Sequence, residues 1–125
     1  MRRRALFALL LSLGCGDDGP SYAGVEFDVI SAPPLPVMIG SEALTLVAGL
    51  AVKVSATPLS SGHEYPKKTR LALRSADPSL LAVFASEARS DFVLVGLREG
   101  TTCLEVRIDG EVEECVPTSV QPPTR

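Results

Sequence analysis

Along most of the chain apolar and polar residues alternate with a period of two, the signature of strands that bury one face. In residues 25–30, VEFDVI, Val25, Phe27 and Val29 fall on one side and Glu26 and Asp28 on the other. The following SAPPLP ends the strand, because Pro33, Pro34 and Pro36 have no N–H to give to a ladder; it is expected to cross between sheets or run along an edge. Further strands are predicted over 37–39, 43–47 and 50–56, parted at Gly40 and Gly49. In the last, Leu50, Val52 and Val54 face inward and Lys53 and Ser55 outward. Residues 57–66, TPLSSGHEYP, read as a loop. The alternation resumes over 69–75, with Leu71 and Leu73 opposite Arg70 and Arg74, and stops at the turn formed by Ala76, Asp77, Pro78 and Ser79. Two short apolar runs follow, 80–85 and 92–97, joined by SEARSD. No segment holds a helical period over ten or more residues, so the pattern predicts an all-β sandwich of about seven to eight strands.

Residues 94–116 form the most informative stretch, the end of one strand followed by a hairpin that carries Cys103 and Cys115. A three-residue loop, Ile108, Asp109 and Gly110, pairs Arg107 with Glu111, Val106 with Val112 and Cys103 with Cys115. A two-residue Asp-Gly loop opposes Val106 to Glu113 and Cys103 to Val116, which mixes the faces, so the first register is expected. The cysteines then form a disulfide on the face opposite Leu104 and Val106. Glu105, Glu111 and Glu113 share that outer face, with Glu105 opposed to Glu113.

The 125 residues are enough for one domain, which buries roughly two-thirds of the surface its unfolded chain exposes. The first fourteen residues stand apart. Arg2, Arg3 and Arg4 precede an apolar run over 5–13, far short of the ~20 residues of a membrane span, and so read as an export signal. Its end, Leu11, Ser12, Leu13, Gly14 and Cys15, resembles the lipobox of bacterial lipoproteins. That resemblance implies a signal peptide over 1–14, lipidation of Cys15 and attachment to a membrane through the lipid. Gly16 stands where enteric-type sorting places Asp to retain a lipoprotein at the inner membrane, so the outer membrane or cell surface is the expected location. Residues 15–24 are expected to be the lipidated cysteine and a flexible tether, in which Asp17 and Asp18 are solvating residues. The domain is expected over 25–116 and a disordered, Pro-rich tail over 117–125.

Three cysteines less a lipidated Cys15 leave an even pair, in keeping with a disulfide in an oxidising compartment. Removing Arg2, Arg3 and Arg4 from 12 basic residues leaves 9 against 15 acidic ones, a net charge of −6. An acidic body excludes nucleic acid as the natural partner.

Two turns carry a further resemblance. Residues 73–83, LRSADPSLLAV, and 95–106, VGLREGTTCLEV, resemble the bacterial Ig-like domain of group 2, whose signature joins a Ser-x-Asp-Pro-Ser turn to a Gly-x-x-x-Gly-Thr turn. Ser75, Asp77, Pro78, Ser79, Gly96, Gly100 and Thr101 stand at the signature positions, and the resemblance covers about 43–116. Leu73 occupies a position where that family often has Trp. The resemblance implies that the sandwich is an Ig-like β-sandwich, and that it is a structural and adhesive module of cell-surface proteins, without a catalytic centre of its own.

The inventory for chemistry is thin. His63 is the single histidine and sits in a predicted loop, so neither a triad nor a His-rich zinc site can be assembled around it. Carboxylates on one outer face do not flank a cleft as glycosidase acids must. No catalytic residue and no cofactor is assigned. Glu105 and Glu113, directly opposed, are the candidate metal ligands, through a calcium ion that offsets their repulsion. The expectation is a non-enzymatic envelope lipoprotein whose one domain makes protein or glycan contacts or serves as an accessory structural module. The alternative is a calcium-stabilised surface module without a dedicated partner.

Overall fold

The computed structural model describes residues 19–31, 37–87 and 90–123. The expected signal peptide, Cys15, Asp17, Asp18 and the three prolines of residues 32–36 lie outside the described residues. Among the described residues nine strands follow in order: β1 (Ser21–Ser31), β2 (Met38–Ile39), β3 (Leu44–Val47), β4 (Ala51–Ser61), β5 (Leu71–Ser75), β6 (Leu81–Ala85), β7 (Asp91–Gly96), β8 (Gly100–Ile108) and β9 (Glu111–Gln121). Setting aside the two-residue β2 leaves eight, and the all-β sandwich stands as expected.

The strands form two sheets, in the orders β1-β4-β7-β6 and β2-β3-β9-β8-β5. This is the Ig arrangement: β1, β4, β7 and β6 take the places of A, B, E and D, while β5, β8 and β9 take those of C, F and G. The chain changes sheets after β1, and β3 then lies parallel to β9. Period-two alternation supplies the core between them. Val25, Val52, Val54, Leu81 and Leu94 from one sheet meet Leu44, Leu46, Leu104, Val106, Val116 and Val120 from the other, all essentially inaccessible to solvent. Each such side chain contributes about 1.5–3 kcal/mol by leaving water.

Three sequence expectations are corrected by pairing partners far away in the chain. Residues 21–24, expected to be tether, are strand, because Ser21, Tyr22 and Gly24 pair with Ser61, Ser60 and Leu59. The same pairing extends β4 to Ser61, through what reads locally as the start of a loop.

The expected disordered tail over 117–125 is overturned over 117–121. β9 runs to Gln121 in the middle of its sheet, with Thr118 and Val120 buried. Pro117 is tolerated there for a definite reason. The Cys103 carbonyl accepts from Ala76 N at 3.1 Å, so the β8 backbone at Cys103 points toward β5 and asks nothing of Pro117 opposite. On the other flank the β3 ladder starts only at Thr118. The missing N–H of Pro117 therefore leaves no ladder bond unmade.

The hairpin register differs as well. Its loop has two residues, Asp109 and Gly110, both at positive φ (50° and 91°), as a two-residue hairpin turn requires. Ile108 pairs with Glu111 and Arg107 with Val112; a bulge then places Val106 opposite Glu114, Leu104 opposite Val116 and Cys103 opposite Pro117. The expected pairs Arg107 with Glu111, Val106 with Val112 and Cys103 with Cys115 do not form. The turn is held from outside, since Asp109 Oδ1 accepts from Arg70 N at 2.9 Å and Asp109 N donates to Arg70 O at 2.8 Å. Rejecting the two-residue loop presumed an unbroken ladder. The bulge at Glu113 restores the inward faces of Val106 and Val116.

Candidate functional site

The signature residues gather at one end of the sandwich, where they tie turns together. Asp77 Oδ1 accepts from Ser79 N (3.1 Å) and from Ser79 Oγ (2.6 Å), while Asp77 N donates to the buried Ser75 Oγ at 3.2 Å. The Asp77 carbonyl accepts from Leu80 N and Leu81 N, both at 3.0 Å. From the second turn, Arg98 Nη2 reaches across to Ser79 Oγ at 2.9 Å, and Leu97 N donates to Leu80 O at 2.8 Å. Gly100 lies against Leu80: a Cβ there would stand 2.4 Å from Leu80 Cδ1. Gly96 lets β7 touch the other sheet, with an added Cβ only 2.9 Å from Val120 Cγ1 and 3.1 Å from the Val47 carbonyl oxygen. Pro78 is exposed at the turn, and Thr101 is an exposed strand residue opposite Ser119. The two turns are thus one architectural joint.

The hydrogen bonds from Ser79 hold the Asp77 carboxyl below the usual carboxylate range, with a smaller contribution from Arg98. A lowered folded-state value stabilises above the unfolded carboxylate pKa, and the contribution is lost as pH falls through the folded value. Thermal melts taken down the acid limb should therefore show a steeper loss of stability for wild type than for Asp77→Asn. Parallel acid limbs for the two proteins would remove this assignment.

The outer face of the second sheet carries the disulfide and a row of charges. Cys103 and Cys115 are bonded, with Cα atoms 5.3 Å apart, and bridge β8 to β9 diagonally, since Cys115 lies opposite Glu105. Glu105 is not opposed to Glu113. Its Oε1 accepts from Arg107 Nε (3.1 Å) and Nη2 (3.0 Å), and Arg74 faces it across the β5–β8 ladder. Glu113 is the bulge residue, and with Glu111 it lines a hollow at the end of the sandwich opposite the signature turns. The three carboxylates therefore do not form one outer patch, and the geometric basis for a calcium ion between Glu105 and Glu113 is gone. Among the described residues no three His, Cys, Asp or Glu side chains converge as metal ligands. His63 is exposed, and its carbonyl accepts from Ser60 Oγ at 2.7 Å.

That second end brings together both tyrosines, which sequence reading passed over. Tyr22 OH donates to Glu114 Oε1 at 2.5 Å, joining β1 of one sheet to β9 of the other. Partial burial, with the carboxylate beside it, pushes the Tyr22 hydroxyl well above its ordinary value; Tyr65 is raised by burial and by Glu113. Because the folded-state value of Tyr22 is raised, its contribution is fully present below the unfolded phenol pKa and declines as pH rises above it. Tyr22→Phe is expected to cost about 1–2 kcal/mol in urea melts at neutral pH by depriving Glu114 of its donor. An unchanged midpoint would show the pair to be idle.

Two hollows open at this end. The larger, ≈ 1050 Å³, lies between the sheets and is bounded by the end of β4, the start of β5, Ala85 and Phe92. The smaller, ≈ 560 Å³, is lined by Pro20, Tyr22, Lys68, Ile108 and Glu113 among others, and Tyr65, Pro66 and Thr69 are shared by both. The signal missed in the sequence is the shrinking of the inward side chains of β4, from Val52 and Val54 to Ala56, Pro58 and Ser60.

No family model matches the chain, and no curated protein does. Solved structures of an S-layer protein do share its fold. Domains 4 and 5 of the S-layer protein SbsC match over 82% of this chain and 54% of theirs, at 16% identity and a TM-score of 0.51. Domains 5–6 of the same protein give a TM-score of 0.54, again at 16% identity, over 82% of this chain and 45% of that one. The longer rSbsC(31-844) gives 0.52, with 13% of its length covered. The chain thus spans about half the length of the two-domain structures it matches. At this identity the likeness is one of fold.

Proposed function

We propose that the chain is a non-enzymatic, lipid-anchored module of the bacterial cell envelope, whose single Ig-like domain makes structural contacts with protein or glycan. The observation that carries this reading is the Ig strand order of the two sheets, beside a likeness of fold to domains of an S-layer protein over 82% of the chain. The signature residues support it, because Ser75, Asp77 and Ser79 spend their polar atoms on turn bonds and Gly96 and Gly100 on close packing. On those same turns we place the domain with the bacterial Ig-like domains of group 2. Cys15 supplies the anchor, and Gly16 after it favours the outer membrane or cell surface over the inner membrane.

Radiolabelled palmitate should enter the wild-type protein in a bacterial host and be absent from Cys15→Ser, with the wild type sedimenting with membranes. Equal labelling of the two would remove the anchor. Cross-linking on intact cells should capture a stoichiometric envelope partner; release of the protein in monomeric form would remove the contact role.

A further inference from the structure

The four-stranded sheet ends in β1 on one side and β6 on the other, and the five-stranded sheet ends in β2 and β5. An edge strand leaves half of its backbone groups without a ladder partner, so edges that face water are kept short or carry charge. β1 carries Glu26 and Asp28, β5 carries Arg74 and follows Arg70, and β2 has only two residues. β6, with the sequence LAVFA, has neither protection. Its outward Phe84 is 57% exposed, and the next outward residue across the ladder is Val93.

The bonds at the two ends of β6 show which of its backbone groups are free. Leu97 N donates to Leu80 O at 2.8 Å and Ser86 N to Asp91 O at 2.9 Å, so Ala82 and Phe84 face β7, and Leu81, Val83 and Ala85 turn their backbone to the open edge. Leu81 N already donates to the Asp77 carbonyl at 3.0 Å. Among the described residues no hydrogen bond reaches the Leu81 carbonyl or the N–H and carbonyl of Val83 and Ala85 on that edge.

These free groups complement a second copy of themselves. With Val83 set antiparallel on Val83, each valine N–H meets the other's carbonyl, and each Ala85 N–H meets the other copy's Leu81 carbonyl. Only the Ala85 carbonyl is left to water, because the Leu81 N–H opposite it is engaged at home. Side-chain sizes agree, since Phe84 falls beside Ala82 on the outer face and Leu81 beside Ala85 on the inner, large against small. Charge agrees as well. The same register carries Glu87 to the turn of Ser79, whose Oγ accepts from Arg98 Nη2 at 2.9 Å, and neither Glu87 nor Arg98 is in an ion pair among the described residues. Each copy therefore brings a carboxylate to the other's guanidinium. β1 fails this test, because the same operation centred on Phe27 sets Glu26 against Asp28.

We propose that β6 is the interface of a two-fold dimer, in which a second copy of this chain pairs antiparallel along Leu81–Ala85 and joins the two four-stranded sheets into one. The pairing goes beyond the envelope reading and does not rest on it. The contact is short, so the dimer is reversible, with a Kd of roughly 10–100 μM.

Sedimentation equilibrium of the full chain in a nonionic detergent should show this monomer–dimer equilibrium. Phe84→Lys, which places a charge on the edge outside the core, should weaken it at least about tenfold. Val83→Pro removes the outward donor without costing a β6–β7 bond, and should weaken it as much if the lysine variant folds poorly. Glu87→Arg should also weaken the dimer, and adding Arg98→Glu should restore it. Cysteines read the register. Val83→Cys should cross-link to itself on mild oxidation, because Cα atoms of a bonded pair stand about 5.5 Å apart. Ala82→Cys and Phe84→Cys should cross-link when mixed but not singly, and Glu26→Cys on the opposite edge should stay monomeric. A chain monomeric at about 1 mM, a dimer indifferent to both edge variants, or cross-linking of Glu26→Cys equal to that of Val83→Cys overturns the proposal. A monomeric chain that still captures an envelope protein on cells overturns this inference and leaves the contact role standing.

Discussion

Replacing Cys103 and Cys115 together by serine should lower the stability of the domain by about 2–3 kcal/mol, equivalent to roughly 10–20 °C in thermal midpoint for a domain of this size. The bond closes a loop with a sequence separation of 12 residues, containing the Asp109–Gly110 turn and the bulge at Glu113. It lies on the outer sheet face, where Cys115 is exposed and removal leaves no cavity in the core. Its effect must therefore come mainly from the unfolded chain, which gains freedom when the cross-link is absent. That origin has its own signature: the double variant should show a larger urea m-value as well as a lower midpoint, because its denatured state is more expanded. Reduced wild type should behave in the same way. A midpoint within a degree or two of wild type would mean that the hairpin ladder alone constrains the unfolded chain.

Gly100→Ala should cost about 2–4 kcal/mol for the opposite reason, through the folded state. The backbone at Gly100 has φ of 151°, which a side chain adopts only under strain, and the new Cβ would stand 2.4 Å from Leu80 Cδ1. Leu80 is 4% exposed, and its carbonyl receives Leu97 N, so moving it disturbs both turns at once. The m-value should stay unchanged while the midpoint falls, and cleavage by protease should concentrate at the joint around Asp77 and Arg98. By comparison Gly110→Ala meets no atom and is strained only by its φ of 91°, so its cost should be the smaller. Equal stability of Gly100→Ala and wild type would show that the signature glycine is not an architectural requirement.

The Asp77 turn was legible in the sequence because its residues act within a few positions of themselves, whereas Arg98, Gly96 and Gly100 act on Ser79, Val120 and Leu80 far along the chain. Asp77 reaches Ser79, Asp77 N reaches Ser75, and short-range rules for Asp, Pro and Gly suffice to place such a turn. The inward faces of β4, β5 and β8 were legible for the same reason, since period-two alternation is local, whereas in β9 Val112, expected beside Val106, is exposed and Thr118 and Val120 are buried. The end that holds Tyr22, Tyr65 and the hollows was not. Residues 57–61 are strand because residues 21–24 lie beside them, and 117–121 because β3 and β8 flank them; in isolation both read as loop or tail. Glu114 meets Tyr22 across 92 positions of sequence, beyond any local rule.

By itself the sequence determined the all-β class, the inward faces of β4, β5 and β8, the two signature turns, and the pairing of Cys103 with Cys115 by parity once Cys15 is assigned to lipid. Each of these follows from residue chemistry and short spacing. Only the tertiary structure decided the hairpin register, because a single extra residue at Glu113 shifts every later pair and local patterning cannot say where a ladder breaks. It also separated Glu105 from Glu113 and gave Glu105 to Arg107. The hollow is likewise a property of the packed sandwich, where small side chains leave space only if the facing sheet does not fill it.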